Sequence, residues 1–514
     1  MSLFQSIQKY KKKIALVGDF SEIITYSQLV KYALNIKKHI PKKSLIFLVS
    51  QNSAASIICY VSAIRNNRTV MLIDIKTSKD DFSKLFNLYK PSFVMAPKSW
   101  IKTLGLDNFK FIENIFEYVI CKTKNVKLFD INPSLNLLLS TSGSMGSPKF
   151  VRLSNKNLKS NADSIIKSLN ISSRDRTITT MPCSYSYMLS IINTFLESGA
   201  SIVACRHSLL EKKFWEQFKK NKITSLSGVP YIYEMLIRLG LEKIYISSLN
   251  TLTQAGGKLN NASIEKVIQF SKKKKIKFYM MYGQTEASPR MSVLDWSNAK
   301  KKIGSIGKPI PSTKIWLEDE KGNLIKKPNI IGELIFKGKN VSLGYCNNIK
   351  DLKKKDTNNK ILKTGDLAFF DEDGFFYIKG RKNRIVKIFG NRFNLDEIES
   401  KMNQQNIKVV CKEKNGKLIV FFEANISKEE VLRSITQITG QNKVAFDCVK
   451  INKIPRTSSG KIDYLKIDVE GYEENVIFGA YKTIKRCKPI IIMEIYKDMT
   501  IFKKLSISEI QNRY

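Results

Sequence analysis

Between Thr25 and Ile75 the chain alternates two hydrophobic patterns. "TYSQLVKYALNIKKHI" and "SAASIICYVSAIRNN" carry apolar residues at helical spacing, whereas "SLIFLVS" and "TVMLIDI" are short, nearly continuous apolar runs. Apolar runs of that length, separated by helix-like stretches, read as buried parallel strands layered with helices. The alternation continues to about Ile310. From Pro311 the pattern changes to short strands and turns, as in "KIWLEDEKGNLI", "GELIFKG" and "DEDGFFYIKG", where Gly and Asp punctuate β hairpins. A smaller α+β unit is predicted from about Asn383 to Lys461.

Composition excludes several classes. With 514 residues, 43% hydrophobic and 26% charged, the chain has the material for two or more domains around a large core. Its most apolar stretch, "SLIFLVSQNSAASIICYVSAI", is broken by Ser, Gln and Asn, so no membrane span is expected. The start lacks a signal-peptide core, which predicts a cytoplasmic protein. Eight cysteines without a CxxC pair indicate neither a zinc knuckle nor a disulfide framework. Two histidines, His39 and His207, make a Ser-His triad or a His-built metal site a poor fit. The net charge of +42 comes from lysines spread along the whole chain, without the interleaved aromatics of a nucleic-acid surface. No nucleic-acid partner is expected; an acidic carrier protein is the partner that such a surface would favour.

The first chemical motif is "LNLLLSTSGSMGSPKFVRLS", Leu135 to Ser154. An apolar strand ends at Ser140, a Gly/Ser/Thr loop follows, Lys149 closes it, and "FVRLS" reads as a second strand. Small residues let backbone N–H groups converge on an anion, hydroxyls add donors and a lysine supplies charge, which is the chemistry of a phosphate loop. The common GxxxxGK[ST] form is absent, because Pro148 and Phe150 stand where it needs Gly and a hydroxyl.

The loop resembles the TSG[ST]TGxPK signature of the adenylate-forming (AMP-binding) superfamily, which includes acyl-CoA synthetases and peptide-synthetase adenylation domains. The resemblance assigns Thr141, Ser142, Gly143, Ser144, Gly146 and Lys149 to ATP. Met145 stands where the signature usually has Thr or Ser, so one phosphate-binding hydroxyl is missing. "MMYGQTEAS" is similar to the YGxTE element: Tyr282, beside Gly283, would lie against adenine, and Thr285 and Glu286 suit an ATP-bound Mg²⁺. "LKTGDLAFFDEDGFFYIKGRKNRIVKIFGNRFNLDEIE" resembles the TGD and GRxD blocks. There Asp366 would accept hydrogen bonds from the ribose and Arg381 would contact ribose or phosphate. The hinge would fall at Asn383, Arg392 would face phosphates, and Gly390 would admit a pantetheine arm. "PRTSSGKIDY" resembles the closing PRTxxGKxxR element, giving Lys461 the largest catalytic role, beside Lys149 and Glu286. Weaker matches are "TYSQL" at Thr25, "MPCSYSYMLSIINTFLESGASIV" with Met188 in place of a glycine, and "TQAGGKLN" with Gly257 beside the adenine.

The resemblance implies a large α/β N-terminal domain with layered sheets and a β-rich subdomain at 1–382, and a small mobile C-terminal α+β domain at 383–464. It also implies a two-step reaction. A carboxylic acid reacts with Mg·ATP to give acyl-AMP and pyrophosphate, and a thiol, CoA or carrier-protein phosphopantetheine, then takes the acyl group. Tyr185, Tyr187, Tyr231 and Met280 are candidate walls for the acid, and equally candidate core residues. Two alternatives stay open: an enzyme that stops at the acyl-adenylate, and a degenerate nucleotide-binding module without turnover.

The last segment, "IDYLKIDVEGYEENVIFGAYKTIKRCKPIIIMEIY", resembles the middle of FkbM-type methyltransferases. It reads as one βαβ fragment in 465–514: a strand at Leu465 to Val469, a helix to about Arg486, and a strand at Ile490 to Ile495. No glycine-rich cofactor strand precedes it, so no methyl transfer is expected; a fusion at "IDYLKI" is the simplest account.

Overall fold

The computed structural model describes residues 2–20, 22–104, 109–124, 130–140, 149–244, 247–388, 391–414, 417–423, 426–451, 454, 464–467 and 490–493. By internal contacts the chain divides into two compact units, Met1–Ile378 and Lys379–Tyr514.

The first unit is built on two large sheets. In one, of eight strands, Leu45–Ser50, Thr69–Asp74 and Phe93–Pro97 run parallel, as the opening alternation predicted. Alternate residues of Leu45–Ser50 serve different cores: Ile46 and Leu48 face the main cluster, and Leu45, Phe47 and Val49 a second one. A strand buried on both faces has to read as an unbroken apolar run, and "LIFLVS" does. The other sheet, of nine strands, holds Ser225–Gly228, Thr251–Gln254 and Lys277–Gly283 in parallel register. The main core joins residues of both sheets through helices Ala54–Arg65, Asn155–Leu169 and Ser186–Glu197, of which the first and last are buried along their whole lengths. The "TYSQL" marker is a helix start. Thr25 caps Tyr26–His39 by accepting from the Gln28 amide, and Gln28 returns a bond to the Thr25 amide.

From Lys314 the chain forms an antiparallel four-stranded sheet. "KIWLEDEKGNLI" turns back on itself through the antiparallel bridge Glu318 to Leu324, with the Asp319 amide donating to the Asn323 carbonyl and the Ile325 amide to the Leu317 carbonyl, while the full ladder of Lys314–Glu318 is with Gly332–Lys337. The turn after Ile361–Phe370 does form a tight hairpin into Phe376–Arg381, with Asp371 accepting from the Phe375 amide.

The second unit contains a hairpin, Ile385–Ile388 with Asn391–Asn394, and a three-stranded sheet covered by helices Leu395–Gln404 and Lys428–Thr439. Its last described elements are two parallel strands, Tyr464–Ile467 and Ile490–Met493. The first begins one residue before the expected Leu465; the intervening residues, where the helix was expected, lie outside the described ones. The seven described cysteines are free and six are buried, in line with a packing role. Among the described residues no helix is long and apolar enough to cross a membrane.

Candidate active site

Strands Leu135–Ser140 and Phe150–Ser154 pair antiparallel, with Ser140 opposite Phe150, so the two ends of the predicted phosphate loop meet at one sheet edge. Thr141, Ser142, Gly143, Ser144, Met145 and Gly146 lie outside the described residues. Lys149, the last residue before the second strand, is exposed, and its Nζ stands 3.6 Å from the centre of the Tyr345 ring, a cation–π contact. The Tyr345 hydroxyl donates to Glu286 Oε1 at 2.9 Å. Glu286 lies in the short turn Thr285–Ala287, whose Glu286 carbonyl accepts from the Ser342 amide at 2.8 Å. Burial, then the neighbouring carboxylate, push the Tyr345 phenol well above its ordinary value, so it keeps its proton and acts as a donor. One tyrosine therefore touches both the phosphate-loop lysine and the predicted metal carboxylate.

Sequence reading missed Tyr345, because nothing beyond an aromatic after Gly344 marks it. Tyr345→Phe keeps the ring under Lys149 and removes the bond to Glu286; it is expected to raise the KM for ATP several-fold, with the folded state intact, as steady-state kinetics and a thermal melt will show.

Arg152 holds this edge in place. Its side chain is fully buried, and it donates to the carbonyls of Tyr345 (3.0 Å), Lys354 (2.6 Å), Leu343 (2.5 Å) and Lys355 (3.1 Å). Strand Tyr345–Cys346 pairs with Val151 and Phe150 on the same edge. The position of Tyr345 is thus set by a residue three places after Lys149.

The residues expected at adenine and ribose share a network. Tyr282 donates its hydroxyl to Asp366 Oδ2 at 2.5 Å, and Gln284 Nε2 donates to the same oxygen at 2.9 Å and to the Thr364 carbonyl at 3.0 Å. Asp366 is buried, and its own amide donates to Thr364 Oγ1. The structure therefore joins Tyr282 and Asp366, which sequence reading had assigned to adenine and ribose separately, and adds Gln284. Gly283 is required by contact: a Cβ there would fall 1.8 Å from the Pro289 carbonyl oxygen. Thr285 donates to Ser186 Oγ at 3.0 Å, which ties the YGQTE turn to the start of helix Ser186–Glu197. Gly257 accepts from Gln254 Nε2 at 2.8 Å. Its neighbour Gly256 has φ +81°, and a Cβ there would meet the Tyr185 hydroxyl at 2.6 Å.

Of the candidate acid walls, Tyr187 and Met280 are buried, and Tyr187 shares a 2.9 Å hydrogen bond with Thr253, whose hydroxyl reaches Ser227 at 2.8 Å. Burial pushes the Tyr185 phenol up to about 12. Tyr231 is 40% exposed. Met188 is completely buried, so the side chain that replaces a glycine fills core volume.

In the second unit, the Arg381 amide donates to Asp396 Oδ2 at 2.9 Å. Arg384 pairs with Asp396 (2.6 Å) and Glu399 (2.5 Å), and burial raises the Glu399 carboxyl against the pull of that arginine. Asn383 lies in the short turn Lys382–Arg384, and Arg392 is on strand Asn391–Asn394 opposite Lys387. Gly390 and Lys461 lie outside the described residues.

The layered sheets match the adenylate-forming enzyme fold. The sequence profile of the AMP-binding enzyme family matches residues 3–346, and the chain belongs to that family. A second profile, the methyltransferase FkbM domain, matches residues 374–510 and so begins well before the terminal fragment from which the resemblance was read.

Gramicidin S synthase 1 of Brevibacillus brevis is 24% identical over 541 residues, covering 98% of this chain and 47% of that protein, so the chain spans about half its length. A 2-succinylbenzoate–CoA ligase of Bacillus cereus is 28% identical over 342 residues, covering 63% of this chain and 68% of the ligase. Among solved structures, o-succinylbenzoate coenzyme A synthetase from Bacillus subtilis, in complex with ATP and magnesium ion, superposes with a TM-score of 0.72 at 21% identity, covering 89% of this chain and 97% of that one. At that identity the likeness is one of fold.

Proposed function

We propose that this enzyme activates a carboxylic acid with ATP and passes the acyl group to a thiol. The observation that carries the reading is the convergence of Lys149 and Glu286 on Tyr345, where the phosphate loop meets the YGQTE turn. A cation and a carboxylate held one on each side of a phenol can serve a polyphosphate and its counter-ion together. In the first step a substrate carboxylate oxygen bonds to the α-phosphorus of ATP, the bond to the β-phosphate oxygen breaks, and pyrophosphate leaves. In the second step the thiol loses its proton to solvent, its sulfur bonds to the acyl carbon, the acyl–phosphate bond breaks and AMP leaves with the electron pair.

Each residue has a bounded task in this scheme. The phosphate loop, with Thr141, Ser142, Gly143, Ser144, Gly146 and Lys149, holds the phosphates, and Lys461 faces the α-phosphate. Asp366, oriented by Tyr282 and Gln284, takes the ribose hydroxyls; Arg381 contacts ribose or phosphate, and Arg392 adds charge from the small domain. Mg²⁺ dehydrates reluctantly and binds through one or two carboxylates plus nucleotide phosphates, so a single carboxylate such as Glu286 is a donor set that suits it. Bound there, the ion would offset phosphate charge. The division at 383 and 465, with a hinge at Asn383 and thiol approach at Gly390, belongs to the same proposal, as do CoA or phosphopantetheine as acceptor and an acidic carrier as partner.

The test is carboxylic-acid-dependent exchange of labelled pyrophosphate into ATP, followed by thiol consumption with CoA or a loaded carrier. Exchange with thiol consumption is the expected result; exchange alone would make the chain an adenylate-forming enzyme only. Met145→Thr restores the hydroxyl that the loop lacks and is expected to raise exchange about 3- to 10-fold, the worth of one phosphate hydrogen bond. Silence from both the wild type and this variant would favour the nucleotide-binding module.

A further inference from the structure

Six strands of the nine-stranded sheet run parallel: Ile14–Val17, Ser201–Val203, Arg176–Ile178, Ser225–Gly228, Thr251–Gln254 and Lys277–Gly283. Their carboxyl ends lead toward the YGQTE turn and Gly257. Their amino ends share the opposite end of the sheet, and the chain enters four of them through basic runs: "KKK" before Ile14, "RDR" at Arg176, "KKNK" before Ser225 and "KKKK" before Lys277. Strand Arg290–Leu294 is antiparallel to Lys277–Gly283, so it leaves the sheet at the same end, into Trp296, Lys300 and Lys301. Hydrogen bonds tie these entries into one ledge. Lys13 Nζ donates to the Ser173 carbonyl at 3.2 Å, Arg176 Nη1 to the Asn221 carbonyl at 2.7 Å, and the Lys277 amide to the Asn250 carbonyl at 2.8 Å. The Trp296 ring centre lies 6.0 Å from Lys277 Nζ.

Lysines that are spread along the sequence are thus gathered by the fold. Lys13, Lys222, Lys275, Lys277 and Lys301 are exposed and, among the described residues, form no ion pair. Glu242 serves Lys273 and Lys274, whereas Asp175 turns its carboxylate to Ser172 and Thr224, and Asp295 to Ser297. At the carboxyl ends, by contrast, Asp19 and Glu286 stand against Arg206 and Lys258. Like charges gathered without counter-charges repel one another, which an anionic partner would relieve. ATP is not that partner, because the seven residues of Lys277–Gly283 hold the ledge about 20 Å from the YGQTE turn. The acyl acceptor, too, has to approach the carboxyl ends.

We propose that the amino ends of this sheet form a docking face for an anionic phospholipid bilayer, with the lysines among headgroup phosphates and Trp296 in the interfacial layer. Ammonium groups are point charges on flexible stems and suit anions that are many and laterally mobile. A tryptophan 47% exposed beside them has the amphipathic ring that sits at headgroup level. A single-stranded nucleic acid calls instead for aromatics spaced along the basic track to stack successive bases, and Trp296 stands at its edge.

The test is flotation of the full chain with vesicles of phosphatidylcholine alone and of phosphatidylcholine with phosphatidylglycerol at ~2:1. The wild type is expected to float with the anionic vesicles only and to be released as salt rises to ~0.5 M. Combining Lys222→Glu, Lys275→Glu and Lys277→Glu should weaken partition ~100-fold, the joint worth of three lysines near such a surface. Lys84→Glu, Lys98→Glu and Lys102→Glu together change the net charge equally on helices packed against the other sheet, and should keep partition within ~5-fold of wild type. Trp296→Ala should lower it several-fold without altering release by salt. Glutamine at Lys222, Lys275 and Lys277 gives the same reading should the charge-reversed chain not fold.

No flotation of the wild type overturns the proposal. So does equal loss in the two triple variants, which would make the binding one of net charge alone. RNA held through these lysines more tightly than the vesicles, at equal phosphate, would make nucleic acid the occupant and also overturn it. Flotation needs no turnover, so its outcome is independent of the adenylation reading.

Discussion

Lys461→Ala is expected to reduce acid-dependent pyrophosphate exchange at least ~100-fold to 1,000-fold while leaving the thermal melt within about 1 °C of wild type. A preorganised cation aimed at charge that develops on the α-phosphate and the attacking carboxylate is worth roughly 3–4 kcal/mol in kcat, the scale measured when one oxyanion donor is removed. A lysine whose task is charge that develops only on bound substrate adds little to the stability of the free chain. The sharper form of the test supplies the acyl-adenylate ready-made. Thioester formation from it should survive in Lys461→Ala, since the residue is assigned to the first step alone. Loss of both steps would mean that the lysine holds the nucleotide throughout, and unchanged exchange would remove "PRTSSGK" from the active site.

The second large effect is on stability. Arg152→Met should destabilise the first unit by about 2–6 kcal/mol in denaturant unfolding. Of the four carbonyls that Arg152 serves, two keep another donor: Leu343 accepts from Thr357, and Lys354 from Asn132. The carbonyls of Tyr345 and Lys355 lose theirs, and each hydrogen bond from a charged guanidinium is worth roughly 1–3 kcal/mol. Methionine fills much of the volume, so the cavity contribution is small. Because the freed carbonyl belongs to Tyr345, the variant should also bind ATP more weakly than Tyr345→Phe does. Arg290→Met is the control: its buried guanidinium donates to the Ser190 carbonyl and Thr194 Oγ1 with one nitrogen and meets only the Met281 sulfur with another, so it has little to lose, and replacing an uncompensated buried charge by an apolar side chain of similar shape should leave the Tm unchanged or higher. Equal destabilisation by the two substitutions would show that Arg290 is a cross-link as well.

The parts of the site legible in the chain were those whose chemistry is contiguous. "STSGSMGSPK" announces an anion loop because small residues, hydroxyls and a lysine follow one another, and its flanking strands fall at Ser140 and Phe150 as read. Glu286 and Asp366 stood out because each sits in a short block with a fixed order of residue types. Tyr345 and Gln284 did not, since each acquires meaning from a partner that the fold delivers: Tyr345 from Glu286, 59 residues away, and Gln284 from Asp366, 82 residues away. The "KIWLEDEKGNLI" segment shows the same limit, since its local turn was legible and its main ladder partner was not. Its turn residues are local, but the partner of Lys314–Glu318 is chosen by the apolar face that Leu317, Leu334 and Phe336 share in one core.

The sequence by itself determined the family and the parallel layering of the first unit, because periodicity and short-range spacing are written along the chain. Only the tertiary structure decided that, of the buried arginines, Arg152 is a cross-link to four carbonyls while Arg290 keeps an Nε without a hydrogen-bond partner. A guanidinium has the same chemistry wherever it occurs in the sequence. Whether its five N–H groups are used depends on carbonyls, hydroxyls and sulfur atoms that distant segments bring within reach, and that count exists only once the chain has folded.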